Sequence, residues 1–205
     1  MHKKDLEIFL SHLQTFSRPR IKLEQYATPS AIAADLLWDA YQKGHIEGKI
    51  IADLGCGTGI LGVGALFLGA KKVFFVDIDQ EALVLAKENV AFARKTFSQG
   101  FSVSFSCMPV GKFTQKVSVV FQNPPFGTKT VHADKAFLEI AFSHAPLVYS
   151  FHKFSTKSFV EGLAEHYHFS VLEVYRYKLP LKAQFSFHTS RVKTIDVGCW
   201  CFQKN

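Results

Sequence analysis

The sequence predicts an α/β fold in which a mostly parallel sheet of seven strands carries helices on both faces. From Lys49 onwards, short continuous apolar runs alternate with segments of helical periodicity, a pattern typical of parallel strands that are buried on both sides. A glycine-rich segment, residues 55–59, directly follows the first of these runs, as at the strand-to-helix turn of nucleotide-binding folds. The last strand is expected to run antiparallel. The 205 residues, 48% of them hydrophobic, suffice for one sizeable core, so we expect a single domain over residues 1–205.

The start of the chain, about residues 1–45, predicts a helical extension to this domain. Apolar residues recur every three or four positions from Leu6 to Phe16, which predicts an amphipathic helix from about Lys3 to Phe16. Thr28 followed by Pro29 predicts the start of a second helix, because a threonine hydroxyl can cap a helix and proline suits its first position.

The remaining elements follow in order along the chain. Strands are predicted near residues 50–54, 72–77, 101–107, 117–122, 146–151, 168–176 and 194–202, and helices near 59–68, 80–94, 133–144 and 155–166. Residues 179–193 show no clear period, so we expect a long functional loop there.

Composition indicates which partners and which cellular environment to expect. The formal net charge is +7, which favours a polyanionic partner but is equally typical of a solvated basic surface. The four cysteines lack the paired spacing of a zinc site and the density of a disulfide scaffold. We therefore expect a reducing, cytoplasmic location. No apolar run approaches the length of about 18 residues that a membrane span needs, so we expect no membrane association.

The segment from Asp53 to Gly59 is a candidate nucleotide site. Gly55, Gly57 and Gly59 allow positive φ and close approach of a ligand to the backbone. Ile60 stands where the dinucleotide fingerprint requires a glycine. The pattern resembles the first motif of the Rossmann-like class I methyltransferases, in which an acidic residue ends the next strand, as Asp77 does here. The alternative is a tight turn whose glycines serve packing alone.

This resemblance implies S-adenosyl-L-methionine as the cofactor. Asp77 would accept hydrogen bonds from both ribose hydroxyls, and Asp53 would engage the methionine ammonium group. The superfamily often places an acidic residue after the third strand, but Met108 stands there. Its thioether and backbone N–H can contact adenine, whereas it cannot accept a hydrogen bond from the adenine amine as a carboxylate would.

The motif Asn123-Pro124-Pro125-Phe126 follows a predicted strand and is a candidate acceptor site. An exocyclic amine is a weak nucleophile, and the Asn123 side-chain carbonyl and the Pro124 carbonyl can accept hydrogen bonds from its two N–H groups. Pro125 would stiffen this backbone, and Phe126 would stack on an unpaired base. The alternative is that the prolines end a strand and Phe126 fills the core. Similar tetrapeptides serve adenine N6, guanine N2 and, with tyrosine last, protein glutamine, so the motif indicates amine chemistry without fixing the substrate.

Further segments resemble the archaeal and eukaryotic methyltransferase-like family that N6-methylates an adenine of small-subunit ribosomal RNA. The resemblance runs from about residue 4 to the C-terminus, and it is carried by Glu24 to Pro29, Asp53 to Gly59, Asn123 to Thr128, Ala133-Asp134 with Phe137-Leu138, Val148 to Lys153, and Pro180 with Phe187-His188. It implies that Gln25 and Thr28 close over the methionine end of the cofactor, and that Thr58 and Ile60 line its pocket.

The resemblance also implies partners. Eukaryotic members use a small zinc-binding activator protein that covers an apolar sheet edge at the third strand, where Phe101, Val103 and Phe105 alternate here. Inward packing of an ordinary edge strand explains the alternation equally well. Lys153, Lys178 and His188 are candidate RNA contacts, and further basic residues around the site are Lys157, Arg176, Lys182, Arg191 and Lys193. His166 and His168 lack cysteine or carboxylate partners nearby, so no metal site is expected.

Two alternatives of different class stay open at this point. One is a methyltransferase acting on guanine N2 or on protein glutamine. The other is a noncatalytic RNA-binding module that retains the fold, which the presence of Met108 favours.

Overall fold

A computed structural model describes residues 2–17, 19–20, 23–97, 100–126, 133–181 and 193–205. Its seven strands are β1 (Ile50–Leu54), β2 (Lys72–Asp77), β3 (Ser102–Cys107), β4 (Val119–Gln122), β5 (Leu147–Lys153), β6 (Phe169–Leu181) and β7 (Lys193–Lys204). The helices are α1 (Lys3–Ser11), α2 (Ser30–Gln42), α3 (Ile60–Phe67), α4 (Gln80–Thr96), α5 (Ala133–His144) and α6 (Lys157–His166).

The strands form one sheet in the order β3-β2-β1-β4-β5-β7-β6. The pairs from β3 to β5 are parallel, and β7 runs antiparallel to both β5 and β6. The predicted fold class is confirmed. Because β1, β2 and β4 are parallel neighbours, the segments that follow them emerge at one edge of the sheet, as expected for ligand sites in open α/β sheets.

Neighbouring strand residues point to opposite faces of this sheet and belong to two cores. Ile51, Phe121 and Tyr149 pack in the core shared with α1 to α4, whereas Ala52 and Val120 pack in the core beneath α5 and α6. The central strands are therefore covered on both sides, which explains why they read as continuous apolar runs.

The start of the chain differs from its prediction in two places. The first helix ends at Ser11 rather than Phe16, and the Gln14 backbone beyond it is instead bound by Asn89 of α4. Helix α2 begins at Ser30 with Pro29 as its N-cap and without a side-chain cap, so Thr28 lies one residue too early to cap it. The Thr28 hydroxyl instead accepts a hydrogen bond from Asn123 Nδ2.

The predicted loop at residues 179–193 is also shorter than expected. The hairpin ladder continues through Leu179–Ile195 and Pro180–Thr194 to Leu181–Lys193. Residues 182–192, including His188, lie outside the described residues. Within the described residues, no helix is long and apolar enough to cross a membrane.

Candidate active site

The glycine segment after β1 forms a turn that only glycine adopts without strain. Gly55, Gly57 and Gly59 have φ values of 66°, 53° and 82°, in the left-handed region that side chains disfavour. A Cβ at Gly55 would lie 2.8 Å from the Phe137 ring, and one at Gly57 would lie 3.2 Å from Phe16 Cζ. The glycines thus satisfy both the turn and the packing around it.

Two carboxylates hold this turn in place. Asp53 is 1% exposed, and its Oδ2 accepts from the Gly62 N–H at 2.8 Å. Asp77 accepts from the Gly57 N–H at 2.7 Å and from the Asp79 N–H at 2.9 Å. Burial raises the pKa of Asp53 to about 7, and burial also raises the pKa of Asp77. Both carboxylates are therefore predisposed to interact with a cation or a donor that enters from the cavity.

The segment before α2 is tied across the same cavity by a residue that the sequence interpretation missed. Asp79 is 5% exposed; it caps α4 through the Glu81 N–H and accepts from Gln25 Nε2 at 2.7 Å and from Arg20 Nη1 at 3.1 Å. Gln25 Oε1 accepts from the Arg20 N–H. Gln25 lines the cavity as the resemblance implied, but its amide already binds protein groups. The sequence signal that could have identified Asp79 is its place at the start of a predicted helix, two residues after Asp77, where aspartate is a preferred N-cap.

The acceptor motif lies against this segment. Asn123 Nδ2 donates to Thr28 Oγ1 at 3.0 Å, whereas Asn123 Oδ1 is buried and has no hydrogen-bond partner among the described residues. Phe126 is 8% exposed and lies near-parallel to the Tyr26 ring, with centroids 6.4 Å apart. The donor side of the Asn123 amide is therefore satisfied while its acceptor side is available.

These groups surround one cavity of about 280 Å³. Of the residues predicted to form the site, Gln25, Thr28, Asp53, Gly55, Gly57, Thr58, Ile60, Asp77, Met108, Asn123 and Pro125 line it. Phe16 and Glu24 also line it and were not predicted.

Gly59, Pro124 and Phe126 lie outside this lining set. Gly59 is the N-cap of α3, and a Cβ there would meet Ala86 and the Phe75 ring at 3.2 Å. The Met108 N–H donates to the Asp77 carbonyl, so the expected adenine contact through this N–H is not formed and only the Met108 side chain remains for it.

The predicted RNA-contact residues lie apart from the cavity lining. Lys153 ends β5. Lys178 is 72% exposed and pairs with Asp196 at 3.0 Å. Within the described ranges, no group of three or more His, Cys, Asp and Glu side chains is placed to hold a metal ion.

Comparison with known proteins places this architecture in a family. The chain is 34% identical to the rRNA N6-adenosine-methyltransferase Mettl5 of Drosophila melanogaster, over 98% of this chain and 95% of that protein. It is 35% identical to METTL5 of Danio rerio, over 96% of this chain and 95% of that protein. The chain belongs to the METTL5 family of methyltransferases.

Solved structures and a family model agree with this assignment. The crystal structure of PH1948 from Pyrococcus horikoshii, a candidate RNA methyltransferase, is 41% identical with a TM-score of 0.87, and the match covers 100% of this chain and 98% of that one. The model of the ribosomal protein L11 methyltransferase family matches residues 34–123. That match spans β1 to β4 and ends at Asn123, so it covers the cofactor-binding strands but not the segment beyond Asn123.

The cofactor of this METTL5-family protein is S-adenosyl-L-methionine, and the cavity fits it. Glycines without a Cβ line the wall at Gly55 and Gly57, where a ligand can approach the backbone. Asp53 and Asp77 supply acceptors for an ammonium group and for ribose hydroxyls, and the Met108 side chain contributes an apolar wall suited to adenine. The pocket thus presents acidic groups and an apolar surface to a cationic nucleoside.

Proposed function

We propose that this protein transfers the methyl group of S-adenosyl-L-methionine to the N6 amine of an adenine in ribosomal RNA. The observation that carries the proposal is the state of Asn123. Its Nδ2 is held by Thr28, and its buried Oδ1 lacks a partner among the described residues. A buried unsatisfied acceptor is costly, and an incoming amine N–H would satisfy it.

The chain's own residues would act by orientation and hydrogen bonding. S-adenosyl-L-methionine, when bound, supplies an electrophilic methyl group on a sulfonium. Asn123 Oδ1 would accept a hydrogen bond from one N–H of the target amine, and the Pro124 carbonyl would accept one from the other. These two bonds favour a more tetrahedral nitrogen, whose lone pair is less delocalised into the ring and points at the methyl carbon. Transfer would form the N–C bond as the sulfonium C–S bond breaks; S-adenosylhomocysteine would leave, and the proton of the methylated amine would pass to water. Proximity and preorganised acceptors account for the rate without a covalent enzyme intermediate.

The extent of the family match favours adenine over the other amine acceptors. The L11 methyltransferase model ends at Asn123, whereas the rRNA N6-adenosine-methyltransferases match 95% or more of this chain and therefore extend beyond the acceptor motif. This difference favours an adenine of ribosomal RNA over an acceptor on a ribosomal protein. The free Asn123 Oδ1 at the cavity wall argues against a noncatalytic RNA-binding module.

The RNA would be small-subunit ribosomal RNA, held by basic groups at the mouth of the site. Lys153 ends β5, which neighbours β4, the strand that immediately precedes Asn123. Lys178 lies on the outer hairpin with 72% of its side chain exposed. Cations at these positions would contact phosphates and set the orientation of the RNA without reading its sequence.

A small zinc-binding activator protein would dock on β3, which stands at the end of the sheet order. Phe101, Val103 and Phe105 pack against the core, and Phe105 stacks on Phe75 with centroids 5.0 Å apart. These side chains therefore turn inward, and the partner would use the free backbone edge of the strand. Co-purification and a rise in melting temperature with the activator would support the interaction, and the absence of both would reject it.

The proposed reaction is tested by incubating the protein with labelled S-adenosyl-L-methionine and small-subunit ribosomal RNA from cells that lack the enzyme. Nucleoside digestion and mass spectrometry then identify the product. We expect N6-methyladenosine. Label in guanosine or in ribosomal protein, or no label despite cofactor binding and added activator, would contradict the proposal.

A further inference from the structure

A chain of buried polar side chains runs beneath the acceptor motif. Gln122 Nε2 donates to Ser150 Oγ at 2.9 Å, and Ser150 Oγ lies 2.7 Å from His152 Nε2. His152 Nδ1 faces Asp134 Oδ2 at 3.5 Å. Gln122 and Ser150 are 0% exposed, His152 is 1% exposed and Asp134 is 8% exposed. A buried network of this kind orders the elements that carry its members.

The chemistry of the groups fixes the direction of each interaction. The Gln122 amide nitrogen only donates, so the Ser150 oxygen accepts from it. A carboxylate faces His152 Nδ1, which therefore carries the ring hydrogen, and Nε2 accepts the hydroxyl hydrogen of Ser150. The imidazole is neutral in this arrangement. Burial lowers the pKa of His152, although Asp134 opposes this shift.

The sequence positions of the network members bracket the acceptor motif. Gln122 is the last residue of β4 and immediately precedes Asn123. Asp134 lies in the first turn of α5, the helix that follows the motif. His152 is therefore linked through Ser150 to the strand before the motif and faces the start of the helix after it.

The imidazole is itself held from a third side. The Trp200 ring of β7 meets it edge to face at 5.9 Å between centroids, and Trp200 Nε1 donates to Glu161 of α6. Although Ser150, His152 and Asp134 are the residue types of a hydrolase triad, Ser150 is fully buried. No substrate carbonyl can reach its hydroxyl, so the arrangement is structural rather than nucleophilic.

Buried side-chain atoms without a hydrogen bond among the described residues include Gln122 Oε1, Asn123 Oδ1 and His152 Nδ1. Such atoms are few in a folded protein and each requires an explanation. Their grouping at the ends of β4 and β5 indicates that the region beneath the acceptor motif is kept polar at a cost to stability.

We propose that His152 is the positioning residue of the methyl-acceptor motif: by linking Gln122 through Ser150 and by facing Asp134, it fixes the end of β4, which leads into Asn123, relative to the start of α5. The proposal rests on the proposed function, since it assigns a role to residues that act through Asn123. The position of the acceptor motif depends on His152, whereas cofactor affinity does not.

The experiment uses the full-length protein and cuts the network at two separate links. Ser150→Ala removes the bridge between Gln122 and His152, and Asp134→Asn removes the charge that faces Nδ1 while keeping the size of the side chain. His144→Gln is the matched control, because His144 bonds the Ile140 carbonyl at the far end of α5. For each variant we would measure cofactor affinity, single-turnover methylation of the ribosomal RNA and amide hydrogen exchange with S-adenosylhomocysteine bound.

We expect both network variants to speed amide exchange at the end of β4 and in the first turns of α5, residues 120–123 and 134–138, by about tenfold, the equivalent of about 1.4 kcal/mol of local stability. Turnover should fall by about 10- to 100-fold, because a displacement of about 1 Å in a reacting group has that effect. Cofactor affinity and exchange over residues 55–63 should stay as in the parent protein and in His144→Gln.

Two results would overturn the proposal. One is unchanged exchange and turnover in both network variants. The other is faster exchange throughout the chain with loss of cofactor affinity, which would make the network a general stabiliser. Amide exchange is measured without RNA, so the positioning role is tested even if the methylated acceptor proves not to be adenine.

Discussion

The two sides of the cavity differ in how their buried polar groups are satisfied. On the cofactor side, the Asp53 and Asp77 carboxylates accept hydrogen bonds from the N–H groups of Gly62, Gly57 and Asp79. On the acceptor side, Asn123 Oδ1, Gln122 Oε1 and His152 Nδ1 have no hydrogen bond within the part of the chain that the structure describes. The cofactor side is thus preorganised by its own backbone, whereas the acceptor side keeps one unsatisfied acceptor, Asn123 Oδ1, on a residue that lines the cavity. The two sides should respond differently to substitution.

Asn123→Ala should have the largest effect, and it should affect turnover alone. Removing an acceptor that acts on the reacting nitrogen is expected to lower kcat by about 100- to 1,000-fold, while cofactor affinity measured by calorimetry stays unchanged. A fully active Asn123→Ala variant would remove the distinction between the two sides.

Thr28→Val should lower kcat by about tenfold, because Asn123 keeps its acceptor but loses the hydroxyl that orients it.

Asp77→Ala should affect the opposite side. It leaves the N–H groups of Gly57 and Asp79 without their acceptor and deletes the carboxylate expected to bind the ribose. We expect cofactor affinity to fall by about 10- to 100-fold and the free energy of unfolding to fall by about 1–3 kcal/mol. Glu88→Ala, which removes an exposed carboxylate of α4, serves as the control in calorimetry and thermal melts. Unchanged cofactor affinity would place the ribose elsewhere.

Asp53 should make cofactor binding depend on pH. Burial raises its pKa to about 7 from an ordinary 3.8, so the cofactor-free site is protonated below that pH. The methionine ammonium favours the ionised form, and affinity should therefore fall by about tenfold for each pH unit below about 7. Asp53→Asn should remove this dependence while retaining an acceptor for the Gly62 N–H. A slope that persists in the variant would assign the proton to another group.

The raised pKa of Asp53 also determines how the stability of the folded protein changes with pH. A folded-state pKa above the unfolded value means that protonation favours the folded state. The contribution of Asp53 is therefore fully present below pH 3.8 and is lost as pH rises through about 7. Saturating cofactor should reduce this loss, which thermal melts at several pH values with and without cofactor would show.

Local sequence patterns were sufficient for some parts of this structure and insufficient for others. Strands β1 and β2 have the predicted ends, because short apolar runs end at glycine or aspartate there. The hairpin of β6 and β7 extends further than predicted, because pairs such as Leu179 with Ile195 are formed between distant residues and leave no local period.

The candidate site also contains residues that local motifs predicted and links that they did not. The residues of the glycine motif and the Asn123 motif were predicted from their spacing, and most of them line the cavity. The links of Gln25 to Asp79 and of His152 to Asp134 join residues 54 and 18 positions apart. No spacing rule connects such residues, so these links were visible only in the structure.

Charge reversal at the candidate RNA contacts Lys153 and Lys178 should have the smallest effect, and it should affect neither side of the cavity. Lys153→Glu and Lys178→Glu are each expected to weaken RNA binding by a few fold and to reduce the dependence of affinity on salt by about one phosphate contact. Lys178 should show the weaker response, because Asp196 already neutralises part of its charge. Lys95→Glu, at the end of α4 near the opposite sheet edge, is the matched control. Filter-binding titrations at several salt concentrations measure both quantities, and equal salt slopes in all three variants would show that the RNA does not contact this surface.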